Sequence, residues 1–349
     1  MSRKGSIILI TVLFLSLCSC SEVNDPDNGN AVYYWRTALT LNESERRFIA
    51  DHGLNTVYLH LFDIERAPDG TIRPLSTLIF KDSLPDGIEI VPVVFITPNT
   101  LSDTTGTAQL GHRIVERVTS MMTKNGYPEP KQIQIDFDWT RSNQKIYFSL
   151  LEQVTDIMHR RGGQLSVTIR LHQLNMPVPP ADSGVLMIYN TGNFNDVDET
   201  NSILSVKSVT PYIKYLADYK LPLGSAFPIY SWNPVFSDKE FKCIARNLDL
   251  SDTASFRPVG HNRYRNLRYR ALPMAANADN YSGRLFPGDI IRHEYVEAAV
   301  IDSIKAMIGH IRPSALNHRI LYHLDSINIS LYDNTFFESF YNSGTDTAE

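Results

Sequence analysis

Between Lys131 and Thr140 the chain reads KQIQIDFDWT, and polar and apolar side chains alternate without a break. Gln134, Asp136, Asp138 and Thr140 share one parity; Ile133, Ile135, Phe137 and Trp139 share the other. Period two is the geometry of a strand, so one face of this strand is apolar and the other carries two acids. QLSVTIRLHQL repeats the split, with Leu165, Val167, Ile169 and Leu171 opposite Ser166, Thr168, Arg170 and His172. Such strands suit a barrel clothed in helices around a polar lumen.

The same patterning predicts elements along the rest of the chain. AVYYWRTAL reads as a first strand, and LNESERRFIADHG as a first helix, with Asn42 and Glu45 as a capping box and Gly53 as the stop. NTVYLHLFDIE and IEIVPVVFITP are the second and third strands. A helix from about Ala108 to Lys124 puts Leu110, Ile114, Val118 and Met121 on one face, and KQIQIDFDWT is the fourth strand. Tyr147, Leu150, Leu151, Val154, Ile157 and Met158 mark the next helix, which closes at Gly162-Gly163 before the fifth strand. GVLMIYNTG is a sixth strand, VTPYIKYLADY a helix, LPLGSAFPIYSW a seventh strand, VEAAVIDSIKAMIGHIRP a helix and HRILYHLD an eighth strand. Phe336 to Tyr341 add a last helix, and residues 342–349 read as a loose tail.

Eight strands alternating with helices predict an α/β fold of the (β/α)8 or TIM-barrel class over residues 31–341, with a long irregular insertion at about 233–292 after strand seven. A doubly wound open sheet is the competing architecture. It is disfavoured because WRTALTLNE, after the first strand, contains no glycine to cradle a phosphate.

The first twenty residues change the picture of where this barrel works. Arg3 and Lys4 precede the apolar run IILITVLFL, and Leu17-Cys18-Ser19-Cys20 follows, the layout of a bacterial export signal that ends at a lipidated cysteine. Cys20 is the better acceptor because Ser19, rather than a bulky residue, precedes it; a simple cleaved signal or an uncleaved anchor is the alternative. Residues 21–30, SEVNDPDNGN, read as a flexible tether, which makes this a lipid-anchored protein of the cell envelope. Loss of Arg3 and Lys4 leaves 31 basic against 38 acidic residues and moves the formal charge from −5 to −7, which argues against nucleic-acid binding. With Cys18 removed and Cys20 lipidated, Cys243 stands alone, so neither a disulfide framework nor a structural zinc site is expected. No cofactor is called for, and the chain is expected to be a monomer.

In a barrel of this kind the last inward residues of each strand gather at the C-terminal mouth. Strands four and five supply Asp136, Asp138, Arg170 and His172, and strand two offers His60 with Tyr58 and Phe62. Asp63 has the wrong parity unless that strand ends in a bulge. Strand seven supplies Tyr230 and Trp232, and strand eight Leu321, His323 and Asp325. Carboxylates can exchange protons, aromatic faces can stack on sugar rings, and arginine can hold a hydroxyl or an acid. Each has a plainer use: Asp136 and Arg170 as an ion pair, the histidines as hydrogen-bonded core groups, Tyr230 and Trp232 as packing. A metal held by Asp136, Asp138 and His172 is a weaker alternative.

The IDFDWT strand, the amphipathic helix after it and the LSVTIR strand resemble the central part of the family-18 glycoside hydrolases, the chitinase-like barrels, whose fourth strand carries DGxDxDxE. The whole chain looks similar to a bacterial family of predicted barrel lipoproteins with a QIDFD core. On the hydrolase motif Asp136 and Asp138 match the second and third acids, while Ile133 and Gln134 stand at the first acid and the glycine. Thr140 occupies the place of the glutamate that the resemblance assigns as general acid, and its hydroxyl does not ionise near neutral pH.

The expectation is therefore a barrel that binds or hydrolyses a carbohydrate at its mouth. Hydrolysis would need a carboxylate pair, for which Asp138 and Asp325 are the candidates, with Asp136 tuning Asp138 and with Arg170 and His172 orienting them. The alternative is a non-catalytic glycan-binding or structural envelope lipoprotein. HNRYRNLRYR in the insertion, where Arg263, Arg265, Arg268 and Arg270 alternate with aromatics, is either a lid that grips an acidic glycan or a solvated basic hairpin.

Overall fold

The computed structural model describes residues 29–246, 248–272 and 283–342. Eight parallel strands close into a barrel: β1 (Gly29–Tyr34), β2 (Thr56–Arg66), β3 (Glu89–Ile96), β4 (Gln132–Asp136), β5 (Gln164–Arg170), β6 (Ser183–Met187), β7 (Leu223–Pro228) and β8 (His318–Tyr322). Each pairs with its neighbour in sequence order, and β1 closes the ring by pairing with both β2 and β8. Gly29 and Asn30, which the sequence placed in a tether, belong to the barrel, where they pair with His318 and Arg319. Residues 1–28, where the sequence predicts an export signal ending at Cys20 and most of a tether, and residues 343–349 lie outside the described residues.

Helices cover the outside where the apolar stripes predicted them. α1 (Glu43–Asp51) has the expected capping box: the Asn42 side chain accepts from the Glu45 amide at 2.9 Å, and the Glu45 carboxylate accepts from the Asn42 amide at 3.2 Å. α2 (Leu110–Lys124) buries Ile114, Val118 and Met122, and α3 (Gln144–Arg160) buries Tyr147, Leu150, Leu151, Val154 and Met158. α4 (Val206–Ile213), α5 (Ala298–Ile311) and α6 (Asn334–Asn342) complete the layer, with the Tyr341 hydroxyl donating to the Ala31 carbonyl at 3.0 Å. Between β5 and β6 there is no α-helix; Pro177, Pro179 and Pro180 in that connection would each remove an amide that a helix needs.

The parities of β4 and β5 hold. Ile133, Ile135, Leu165, Val167 and Ile169 pack under the helices, while Gln134, Asp136, Ser166, Thr168 and Arg170 project into the lumen. The lumen is not purely polar: Ala31, Tyr33, Tyr58, Val91, Val93, Val185, Met187, Ala226 and Ile320 fill its floor. Polar groups there are satisfied across strands, as where the Tyr33 hydroxyl donates to Gln134 at 2.6 Å.

Two strands depart from simple alternation. In β2 the register against β3 slips between His60 and Phe62, so Leu61 is the extra residue of a bulge. Phe62 turns out to the helix layer, where Arg117 lies over its ring, and Asp63 comes round to the side of His60. In β8 the inward residues are His318, Ile320 and Tyr322; Leu321 is buried under the helices, so the strand shows the opposite face to the one expected.

The segment after β7 is more regular than its sequence suggested. It forms an antiparallel sheet in the order Glu240–Ala245, Asn233–Ser237, Ile290–Arg292, Arg263–Asn266, Phe256–Gly260, with Val235, Cys243, Ala245, Phe256, Leu285 and Ile291 as its own core. Cys243 is buried and free.

Candidate ligand site at the barrel mouth

At the C-terminal ends of β4 and β5, Asp136 is almost buried and doubly engaged. Its Oδ1 accepts from the Thr168 hydroxyl at 2.6 Å and from Arg170 Nη2 at 2.9 Å. Burial works against the Arg170 charge, but Asp136 beside it, with Asp138 further off, holds the guanidinium above its ordinary range. The other terminal nitrogen, Nη1, is buried and has no hydrogen-bond partner among the described residues.

β4 ends at Asp136, and past it the strict alternation stops. The Trp139 amide turns back to the Phe137 carbonyl at 2.9 Å, and Asp138 is left exposed on the rim. β5 likewise ends at Arg170, because Leu171–Asn175 coil into a 3-10 turn held by Gln173, whose Oε1 accepts from the Arg170 amide and whose Nε2 donates to the Trp139 carbonyl. His172 therefore stands on that turn rather than in the lumen. It still meets Asp138, Nε2 to Oδ1 at 3.5 Å, as a half-exposed pair outside the barrel. Thr140 is exposed too: its hydroxyl shares a hydrogen bond with Ser142, and its amide donates to Asn143, just before α3.

The remaining acids are also engaged. The bulge brings Asp63 to 2.7 Å from His60 Nε2. Asp325 lies beyond β8, four strands round the ring from β4, where it caps the short helix Ser326–Ile329 and pairs with Arg36 at 3.1 Å. Nothing joins Asp325 to Asp138, so the geometry does not assemble the carboxylate pair that hydrolysis was expected to use. His323 follows β8 with Nδ1 unpartnered among the described residues; burial, with Arg246 and Arg36 nearby, pushes its pKa down to about 4.

What the mouth does assemble is an aromatic wall. Trp35, one residue past β1, stacks on His60 at 4.3 Å and 25° and borders Phe95 and Tyr322. Tyr189, just past β6, stacks on Tyr322 at 4.7 Å and 25°, and Tyr230 meets both edge-on. Burial raises the phenol pKa of Tyr189, Tyr230 and Tyr322 further above its usual value, so all three remain donors at neutral pH. Tyr230 donates to Asn190 at 2.5 Å. Trp232, by contrast, packs at the root of the inserted sheet and donates to buried Glu294 at 2.7 Å. Trp35 and Tyr189 were not among the expected site residues, although Trp35 shares its parity with lumen-facing Ala31 and Tyr33. No group of three or more potential metal ligands forms among the described residues.

No protein-family model and no curated protein matches the chain. Solved structures do match at the level of fold. A chitinase from Chromobacterium violaceum ATCC 12472 superposes with a TM-score of 0.56 at 12% identity, over 92% of this chain and 99% of that one. The Ostrinia furnacalis Group IV chitinase gives 0.52 at 10% identity, over 91% and 99%. The Bacillus cereus spore cortex-lytic enzyme SleL gives 0.50 at 13% identity, over 85% and 70%. In fold, then, this chain is a (β/α)8 barrel similar to the chitinases, as the IDFDWT strand led us to expect.

Proposed function

We propose that the chain is a carbohydrate-binding barrel that takes a sugar at its C-terminal mouth and does not cleave it by the two-carboxylate route. The observation that carries this reading is the contrast at the mouth. Rings from Trp35, Tyr189, Tyr230 and Tyr322 line it, while Asp136, Asp63 and Asp325 are each committed to a partner inside the protein. Stacking platforms with phenolic donors suit sugar rings. A glycosidase needs an acid and a base or nucleophile flanking one bond, and of Asp63, Asp136, Asp138 and Asp325 only Asp138 stands exposed, with Thr140 where an acid would have helped it. A hydrolase reading would therefore rest on Asp138 with His172.

A glycan array followed by reducing-sugar assays separates the two. We expect binding without sugar release, and about tenfold weaker binding for Trp35→Ala, equivalent to roughly 1.4 kcal/mol. Release by the wild type that is lost in Asp138→Asn would restore the hydrolase, and no binding to any glycan would sink both readings. On the sequence of residues 1–30 alone, we further propose that the barrel hangs from a lipid on Cys20 at the cell envelope.

A further inference from the structure

A second concave surface lies outside the barrel, between α2 and the segment that follows β2. The bulge at Leu61 builds it: the Leu61 carbonyl accepts from the Leu78 amide at 2.7 Å, and the outward-turned Phe62 ring lies 4.9 Å from the Arg117 guanidinium. The cavity between the two walls measures about 510 Å³. Small-molecule sites typically span roughly 300–1,000 Å³. Its apolar side is Leu78, Phe80 and Met121, and its polar side is a stripe of α2 that includes Arg113, Arg117, Ser120 and Lys124. Residues 117, 120 and 124 stand at i, i+3 and i+7, so their side chains lie one above another on the same helix face. Arg117 and Ser120 are half-buried and Lys124 is exposed, and all three line the cavity, where a ligand can reach them.

The cations of this stripe are not neutralised. Arg113 donates to the Gly106 and Ile72 carbonyls at 2.7 and 3.5 Å, and Arg117 Nη2 donates to the Thr77 hydroxyl at 3.0 Å. No carboxylate pairs with Arg113, Arg117 or Lys124 among the described residues; Glu116, the acid of the lining, faces His112 at 3.3 Å instead. Three positive charges against one negative, set in the wall of a concavity, focus a positive potential into it. We infer that this groove is a ligand site separate from the mouth and takes a small phosphate ester. Its phosphoryl group docks on Arg117, Ser120 and Lys124, and its apolar group lies on Leu78, Phe80 and Met121. A guanidinium, a hydroxyl and a point-charge ammonium stacked along one helix face offer donors to a group that presents three oxygens, as a phosphoryl does. The inference does not depend on the carbohydrate reading.

The test titrates the intact protein with 1-naphthyl phosphate, 1-naphthol and inorganic phosphate. We expect 1-naphthyl phosphate to bind roughly tenfold tighter than either fragment, because only it fills both sides of the groove. Lys124→Gln and Ser120→Ala should each weaken it while leaving 1-naphthol unchanged, which shows the apolar side intact. Glu116→Gln, which removes the acid of the lining, should act in the opposite direction and tighten it. Equal affinity for 1-naphthyl phosphate and 1-naphthol overturns the inference, as does equal affinity for inorganic phosphate, or binding that none of the three substitutions moves. Stronger retention on phosphatidic-acid than on phosphatidylcholine vesicles, without binding of 1-naphthyl phosphate, also overturns it, in favour of a membrane contact.

Discussion

Acid is expected to destabilise this barrel through one histidine. His323 sits just past β8, and burial, seconded by the charges of Arg246 and Arg36 and opposed by Asp325, lowers its pKa from 6.5 to about 4. As pH falls through 6.5 the unfolded chain takes up this proton, whereas the folded chain excludes it until about 4. The unfolded state holds more protons across that window, so stability is complete above 6.5 and is lost as pH drops toward 4. The full displacement is equivalent to about 3 kcal/mol, and because the residue is half-buried and solvent screens part of the charge, a loss of about 1 to 3 kcal/mol is expected. That is a sizeable share of the roughly 5–15 kcal/mol that holds a domain folded.

Urea unfolding of wild type and His323→Asn at pH 7.5, 6, 5 and 4, at matched ionic strength, isolates the effect, since the asparagine cannot titrate. Wild type should lose the predicted increment relative to the variant, mostly between pH 6 and 4. Parallel curves, or a wild type that gains on the variant in acid, would refute the reasoning. An imidazole titration by NMR that returned an ordinary midpoint would refute it independently.

Two further outcomes follow from the same structure. Arg170→Met leaves Asp136 nearly buried without its counter-charge and should cost about 3 kcal/mol or more, whereas Asp136→Asn with Arg170→Met, which keeps an acceptor for Thr168, should recover most of it in denaturant unfolding. Cys20→Ser should move the protein from the membrane pellet to the soluble fraction and abolish labelling by a fatty-acid probe; retention of the label would place the lipid elsewhere.

How much of this was legible in the sequence depended on how one-sided each strand is. β4 and β5 set aliphatic residues against Gln, Asp, Ser, Thr and Arg, so only one register is consistent with a core. In HRILYHLD both parities hold an apolar residue and an amphipathic ring, Ile320 with Tyr322 and Leu321 with His323, and the pattern could not choose between them. The bulge at Leu61 could be raised only as the condition that would turn Asp63 inward, because Val57, Leu59 and Leu61 on one parity and Tyr58 and Phe62 on the other leave no residue that marks where the register slips. Beyond Asp136 and Arg170 the alternation continued on paper, but the chain had already turned: Gln173 holds the turn after β5 and the Trp139 carbonyl together, a contact between loops that no local period encodes. Trp35 could have been found by extending the Ala31 and Tyr33 parity by one step.

The root of the insertion ties the loops after β6 and β7 to the inserted sheet. Glu294, wholly buried, accepts from the Ser202 amide and hydroxyl at 2.9 and 2.6 Å and from Trp232 at 2.7 Å, and it pairs with Arg292, which in turn donates to the carbonyls of Phe194 and Asp196. These bonds lock the β6 and β7 loops to the inserted sheet before any ligand arrives. Loops fixed in advance lose little conformational entropy when a neighbouring site is occupied, so on the proposed carbohydrate reading recognition would be a matter of fit and desolvation rather than of closure of these loops.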